Sequence, residues 1–214
     1  MGVVKQAYSA TVRSIARSGV LDPVFSAGEH AGAGSWRHWA ASLGAIHDIE
    51  RMIALDIPWW NVAAAQQVDR FLAGRAEARV FEYGSGASTV WLARRSREVV
   101  SVEHDAGWLA IVAPLAERCG NATVLKRDLP GTGYTQAIAE IGGQFDLIVV
   151  DGRRRMDCLA AALAHRAPGG IIVVDDTGRS RYRAGIAASG LKADRHFGRS
   201  YCVPYPDFTT ILHD

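Results

Sequence analysis

Three groups of residues in this 214-residue chain have types and spacings that could do chemistry. The first is Phe81-Glu82-Tyr83-Gly84-Ser85-Gly86-Ala87-Ser88-Thr89, which leaves a β-like run, turns on two glycines and enters a helical stretch. Gly84 and Gly86 let the backbone approach a ligand closely. The free N–H groups that open the helix suit a carboxylate or phosphate. The second is Glu103, closing the next β-like run, where a carboxylate can accept both hydroxyls of a ribose. The third is Asp151 together with Asp175-Asp176, each following a β-branched run. A glycine turn with a strand-end acid in register indicates an adenosine-type ligand.

Two such ligands compete. The dinucleotide fingerprint needs GxGxxG, and Thr89 stands in its last position. Glu82, two residues ahead of Gly84, would also repel a pyrophosphate, whereas it suits the ammonium of S-adenosylmethionine. A nicotinamide-dependent oxidoreductase is therefore the weaker alternative. A non-catalytic subunit that binds the cofactor without turning it over is another.

Asp151, Asp175 and Asp176, gathered at one sheet edge, need a cation or a proton among them. A divalent ion such as Mg²⁺ or Ca²⁺ would take oxygen ligands there and lower the pKa of an acceptor hydroxyl. Alternatively, Asp151 is a general base, while Asp175 or Asp176 caps a helix near Gly178 or pairs with Arg179 or Arg181. Arg153-Arg154-Arg155 and Arg179/Arg181/Arg183 follow the same strand ends, either as forks for an acidic acceptor or as local partners of the aspartates. Trp36, Trp39, Trp59 and Trp60, with His38 and His47, precede this region. Packing is the commoner role for such tryptophans. A pocket over the acceptor, with His47 or His38 as base, is the functional one.

The elements that must position these groups follow from periodicity. Strands are expected at Val80–Tyr83, Val99–Glu103, Thr123–Lys126, Phe145–Val150 and Ile171–Asp175. Helices are expected between them at Ser88–Arg95, Ala106–Cys119, Gln136–Ile141 and Met156–Arg166. That alternation makes a parallel sheet with right-handed crossovers. Ala193–Phe197 and Phe208–Leu212 read as two final strands. Ahead of the sheet, Ile46–Ile57 and Asn61–Leu72 look helical, separated by Pro58. Residues 22–45, rich in Gly, Ala and Ser, read as a loop or lid. Val4, Tyr8, Val12, Ile15 and Gly19 recur at helical spacing. The expected organisation is a helical extension or lid over residues 1–57 and an α/β domain over 58–214.

Composition adds bounds. A hydrophobic fraction of 49% and a net charge of +2 describe an ordinary globular chain with no demand for a nucleic acid or other polyanion. No apolar run reaches the roughly 18 residues of a membrane span. Cys119, Cys158 and Cys202 are scattered, so a reducing cytoplasm is expected rather than a disulfide framework or zinc site. A homodimer is compatible with all of this.

From residue 58 onward the chain resembles class I S-adenosylmethionine-dependent methyltransferases. In particular it resembles a bacterial group with F-E-Y-G-S-G-x-S-T at the glycine loop. Further matches are Pro58-Trp59, Ser101 to Asp105 with Trp108, Asp151-Gly152-Arg153 with Arg155 and Cys158, Pro168-Gly169-Gly170, and Asp175-Asp176. The resemblance implies a Rossmann-like, mostly parallel seven-stranded sheet with helices on both faces. It places Glu82, Gly84 and Gly86 around the methionine moiety, Glu103 on the ribose, His104 beside the adenine and Asp128 near the adenine amino group. Ser85, Ser88, Thr89 and Asp151 complete the cofactor set. Metal-dependent O-methyltransferases are similar in carrying an Asp after strand four and Asp-Asn or Asp-Asp after strand five. The implied reaction is O-methylation of a small molecule or glycan.

Overall fold

The computed structural model describes residues 22–214; the helical spacing between Val4 and Gly19 lies outside them. Seven strands form one sheet in the order β3-β2-β1-β4-β5-β7-β6. They are β1 (Arg79–Tyr83), β2 (Glu98–Glu103), β3 (Ala122–Lys126), β4 (Phe145–Val150), β5 (Arg166–Asp175), β6 (Lys192–Ser200) and β7 (Val203–His213). The first five run parallel, and β7 pairs antiparallel with both β5 and β6. All seven expected strands are present. Two strands start five residues early: β7 at Val203, where a Pro-rich loop was expected, and β5 at Arg166, where a helix was expected to end. Phe145 pairs with Arg166, and a register shift then carries the strand through Gly169-Gly170 to pair Leu147 with Ile171.

Nine α-helices are described: α1 (Asp22–Glu29), α2 (Trp36–Leu43), α3 (Ile49–Ala54), α4 (Val62–Ala73), α5 (Ala87–Ala93), α6 (Ala106–Glu117), α7 (Gly133–Ile141), α8 (Arg155–Ala162) and α9 (Arg183–Ala188). Because side chains alternate along a strand, each strand feeds two cores. Val80, Val99, Leu147, Val149 and Val173 meet Val68 and Leu72 of α4 and Trp91 and Leu92 of α5. Phe81, Tyr83, Ile148, Val150 and Val174 meet Tyr134 and Ile138 of α7 and Cys158 and Leu159 of α8. Each such buried side chain stabilises by roughly 1.5–3 kcal/mol. The three cysteines are free thiols, and no described helix is long and apolar enough to cross a membrane.

Residues 22–45 differ from the expected loop: they form α1 and α2. The small residues there serve close helix packing, since a Cβ on Gly28 would stand 2.2 Å from that of Ala41. Ser35 caps α2 by accepting a hydrogen bond from the His38 amide at 3.2 Å. The helix expected over Ile46–Ile57 is shorter, because Asp48 caps α3 by accepting from the Arg51 amide. A third core joins Phe25, Ile46, Met52 and Ile57 to Val62, Val112 and Tyr201–Val203. The Trp39 indole donates to the Ser200 carbonyl at 2.9 Å, and the Cys202 amide donates to Ser42 Oγ at 3.1 Å. These contacts bind the β6–β7 turn to the N-terminal helices.

Candidate functional site

The carboxyl ends of β1, β2, β4 and β5 meet along one crevice, as the parallel arrangement requires. Gly84 leaves β1 with φ +92°, and a Cβ there would lie 2.8 Å from the Gly152 Cα. Only glycine therefore lets the β1 turn pass so close to the turn after β4. Gly86 differs. Its φ of 176° is ordinary extended backbone, and a Cβ there would meet nothing nearer than Ser88 Oγ at 3.9 Å and Trp108 at 4.0 Å. Gly86 is buried and, unlike Gly84, Ser85 and Ser88, is not a wall of the cavity described below.

Glu103 is buried in this crevice. One oxygen accepts from the His104 and Asp105 amides at 2.7 and 2.8 Å, and the other from the Ser85 amide and hydroxyl at 3.2 and 3.3 Å. The Trp108 indole donates to the Ser85 carbonyl at 2.7 Å, fixing the turn from the far side. Gly84, Ser85, Ser88, Glu103, His104, Trp108, Asp151 and Gly152 thus line a cavity of about 510 Å³. That volume is within the roughly 300–1,000 Å³ of small-molecule sites. A glycine turn, a buried strand-end acid and an aromatic wall thus meet in one cavity of small-molecule size.

Glu82 is placed differently from its expected role at the ammonium. It is fully buried and is not among the cavity walls. Its carboxylate accepts hydroxyl hydrogen bonds from Ser88 at 2.5 Å, Thr89 at 2.6 Å and Ser101 at 2.5 Å. Burial pushes its pKa up to about 7 against the pull of those three donors. Thr89, also fully buried, accepts from the Gly86 amide at 3.0 Å. Glu82 and Thr89 therefore brace the loop from behind. Asp128 is exposed and paired with Lys126, outside the cavity walls.

Asp151 stands where this cavity meets a second one of about 530 Å³, lined by Trp59, Asp151, Arg155, Asp175, Asp176, Arg179, Ser200, Val203, Tyr205 and Asp207. Trp59, Asp151 and Arg155 wall both. Arg155 donates to Asp151 Oδ1 at 2.7 Å and lies 3.2 Å from Asp176, which also pairs with Arg179. The Trp60 indole donates to Asp151 Oδ2 at 3.2 Å. Trp60 is held by Asn61, which caps α4 and reaches Thr209 and the Asp207 carbonyl. Asp175 accepts from the Thr209 hydroxyl at 2.5 Å. Burial raises the pKa of Asp151 and, more strongly, of Asp175, and the neighbouring carboxylates add to it against the pull of Arg155.

These contacts revise the expected metal triad. The Arg155 guanidinium takes the place among the aspartates that a cation would need, and no group of three or more His, Cys, Asp or Glu among the described residues is disposed to hold a metal. The residues do not fit a divalent ion. Neither aspartate caps a helix: Asp176 adopts φ +56° to reach its arginines, and α9 begins only at Arg183. Local pairing, one of the two readings of the arginines, describes Arg155 and Arg179. His47 packs edge-on against Trp59 at 4.8 Å and lines neither cavity. Both ring nitrogens of His38 are engaged, one with the Leu55 carbonyl at 2.7 Å and the other near the Gly34 amide and the Tyr201 hydroxyl.

Among the second cavity's walls, Ser200, Val203, Tyr205 and Asp207 were not anticipated. Nothing in their local sequence marks them, since they enter the site through the long-range pairing of β7 with β5 and, for Ser200, of β6 with β7. Trp59 was legible through its place after Pro58.

Residues 81–177 match the family model described as a methyltransferase domain. A precorrin-6y C5,15-methyltransferase from Geobacter metallireducens shares the fold at a TM-score of 0.55 and 11% identity, covering 71% of this chain and 88% of its own. A precorrin 8w decarboxylase from Methanobacterium thermoautotrophicum does so at 0.55 and 18%, covering 74% and 93%. A methyltransferase-like protein from Silicibacter pomeroyi aligns at 0.52 and 22%, covering 71% and 85%. At these identities the structural likeness is one of fold. No curated protein sequence matches the chain.

Proposed function

We propose, from the premise that this chain is a class I S-adenosylmethionine-dependent methyltransferase, that it methylates a hydroxyl of a small polar molecule or glycan held in the 530 Å³ cavity. The observation that carries this reading is the shared wall. Trp59, Asp151 and Arg155 border both cavities, so a donor in one and an acceptor in the other would meet there.

The bound cofactor supplies an electrophilic methyl group on a sulfonium. The chain's part is to hold the two reactants in line and close together, which carries most of the advantage in such a displacement. Glu103 holds the ribose side and Trp108 walls the adenosine. Asp151 lies at the junction with a raised pKa, which makes it a better proton acceptor for an attacking hydroxyl than an ordinary surface carboxylate. Arg155 fixes that carboxylate in place. Asp151 and Asp176 are paired with Arg155 and Arg179, so the reading uses no metal.

Calorimetry against S-adenosylhomocysteine and NAD tests the premise, and binding of the former alone is expected. Incubation with methyl-labelled S-adenosylmethionine and hydroxylated small molecules or glycans tests the reaction. Alkali-stable label on oxygen supports it. Label confined to nitrogen or carbon, or transfer undiminished in Asp151→Asn, would sink it.

A further inference from the structure

We propose that the acceptor brings its own positive charge, as a hydroxylated molecule with a protonated amine such as an amino sugar, whose ammonium is held at Asp175. This rests on reading the 530 Å³ cavity as the acceptor site.

The described walls of that cavity carry four carboxylates, on Asp151, Asp175, Asp176 and Asp207, and two guanidiniums, on Arg155 and Arg179. Neither guanidinium forms an ion pair with Asp175, although Arg155 is near enough to act on its charge. Arg155 binds Asp151 and Asp176, and Arg179 binds Asp176. Asp175 has the Thr209 hydroxyl at 2.5 Å, and no guanidinium or ammonium of the described residues reaches it within ion-pair distance. Its own charge is disfavoured by burial and by the Asp151 carboxylate, against the opposing pull of Arg155 and the Thr209 hydroxyl. A substrate cation beside it would relieve that repulsion and gain a charge-assisted hydrogen bond in a partly desolvated place.

The remaining walls suit the rest of such a molecule. Trp59, Val203 and Tyr205 offer apolar and aromatic surface for a carbon skeleton, and an aromatic face also attracts a nearby ammonium. Ser200 and the Asp151–Arg155 pair supply hydrogen-bonding groups for hydroxyls. An anionic acceptor would have to compete with Asp151 and Asp176 for the two guanidiniums, which are already engaged.

The test compares D-glucosamine, D-glucose and N-acetyl-D-glucosamine, which share a ring and differ in the group at one carbon. Each is titrated by calorimetry and ligand-observed NMR into the protein saturated with S-adenosylhomocysteine. Glucosamine is expected to bind roughly tenfold more tightly than either neutral sugar, as a charge-assisted contact to a carboxylate implies. Asp175→Asn should erase that preference while leaving S-adenosylhomocysteine affinity unchanged, because Asp175 is not a wall of the cofactor cavity. The unchanged affinity also reports that the variant folds. Equal or tighter binding of the neutral sugars, no binding of any of the three, or a preference that survives Asp175→Asn would each overturn the proposal. The ranking is independent of turnover. Failure of hydroxyl methylation would appear in the position of the transferred label and would leave the binding order unaltered.

Discussion

Single residues divide the glycine loop into two duties. Gly84 exists for the protein, because its φ of +92° and the 2.8 Å approach to Gly152 exclude a side chain. Gly86 differs, because its backbone is unstrained and a Cβ there would make only ordinary contacts with Ser88 and Trp108, so room for a bound cofactor is the proposed reason for a glycine there. Gly84→Ala should therefore cost about 2 kcal/mol or more in stability. Gly86→Ala should keep its melting temperature and lose roughly tenfold or more in S-adenosylhomocysteine affinity, since a methyl would displace ligand atoms. Thermal denaturation and calorimetry on the two variants separate these duties, and a reversal of the pattern would contradict them. Arg155 offers a second case. Arg155→Met leaves Asp151 and Asp176 without that guanidinium, and breaking such a pair costs about 3 kcal/mol. Added Mg²⁺ should then recover part of the lost melting temperature by entering the vacated place. The wild-type melting temperature should respond neither to Mg²⁺ nor to a chelator.

At the level of elements, the crevice depends on the packing of α1–α3 around the chain that carries Trp59 and around the β6–β7 turn. The meeting of α1 and α2 at Gly28 and Ala41 is close, with a Cβ on Gly28 only 2.2 Å from that of Ala41. Gly28→Ala forces the helices apart at an expected cost of about 1–3 kcal/mol, read as a shift in a urea denaturation midpoint. A variant as stable as the parent would show that the helices pack otherwise. The same region marks where local sequence misleads. A Gly, Ala and Ser composition describes a loop and a tight helix pair equally well, and only the partner surface distinguishes them. By contrast, β4 lies where expected, at Phe145–Val150, because a buried central strand must be apolar on both faces.

For the whole molecule, Asp151 and Asp175 line the cavities and Glu82 is buried behind the glycine loop, and the folded state raises the pKa of all three. For Glu82 the ordinary value is 4.5 and the folded one about 7. Between those values the folded protein binds more protons than the unfolded chain, so stability falls as pH rises through that window and levels off above it. The share of Glu82 is at most on the order of 3 kcal/mol. Asp151 and Asp175 act with the same sign. Chemical denaturation across that range should show the decline, and Glu82→Gln should flatten it. A stability that rises from about pH 4.5 to about pH 7 would contradict the burial of these carboxylates.

The sequence by itself determined the strand set, the glycine turn and the placement of Glu103 at the end of the neighbouring strand. Those features are local: a period of two, a φ only glycine accepts, and an acid one strand further on are written within a few tens of residues. Tertiary structure decided what the charged residues face. Whether Asp175 and Asp176 hold a metal, cap a helix or pair with arginine cannot be read from spacing, because each outcome uses the same residues. The choice is made by Arg155, four residues after Asp151 and poised between β4 and β5, and by β7, which brings Thr209 and Asp207 from the far end of the chain. Likewise Glu82 is oriented toward three hydroxyls rather than the crevice by the packing of α5 on β2. Electrostatic partners are set by distances across the fold, and those distances exist only once the sheet has closed.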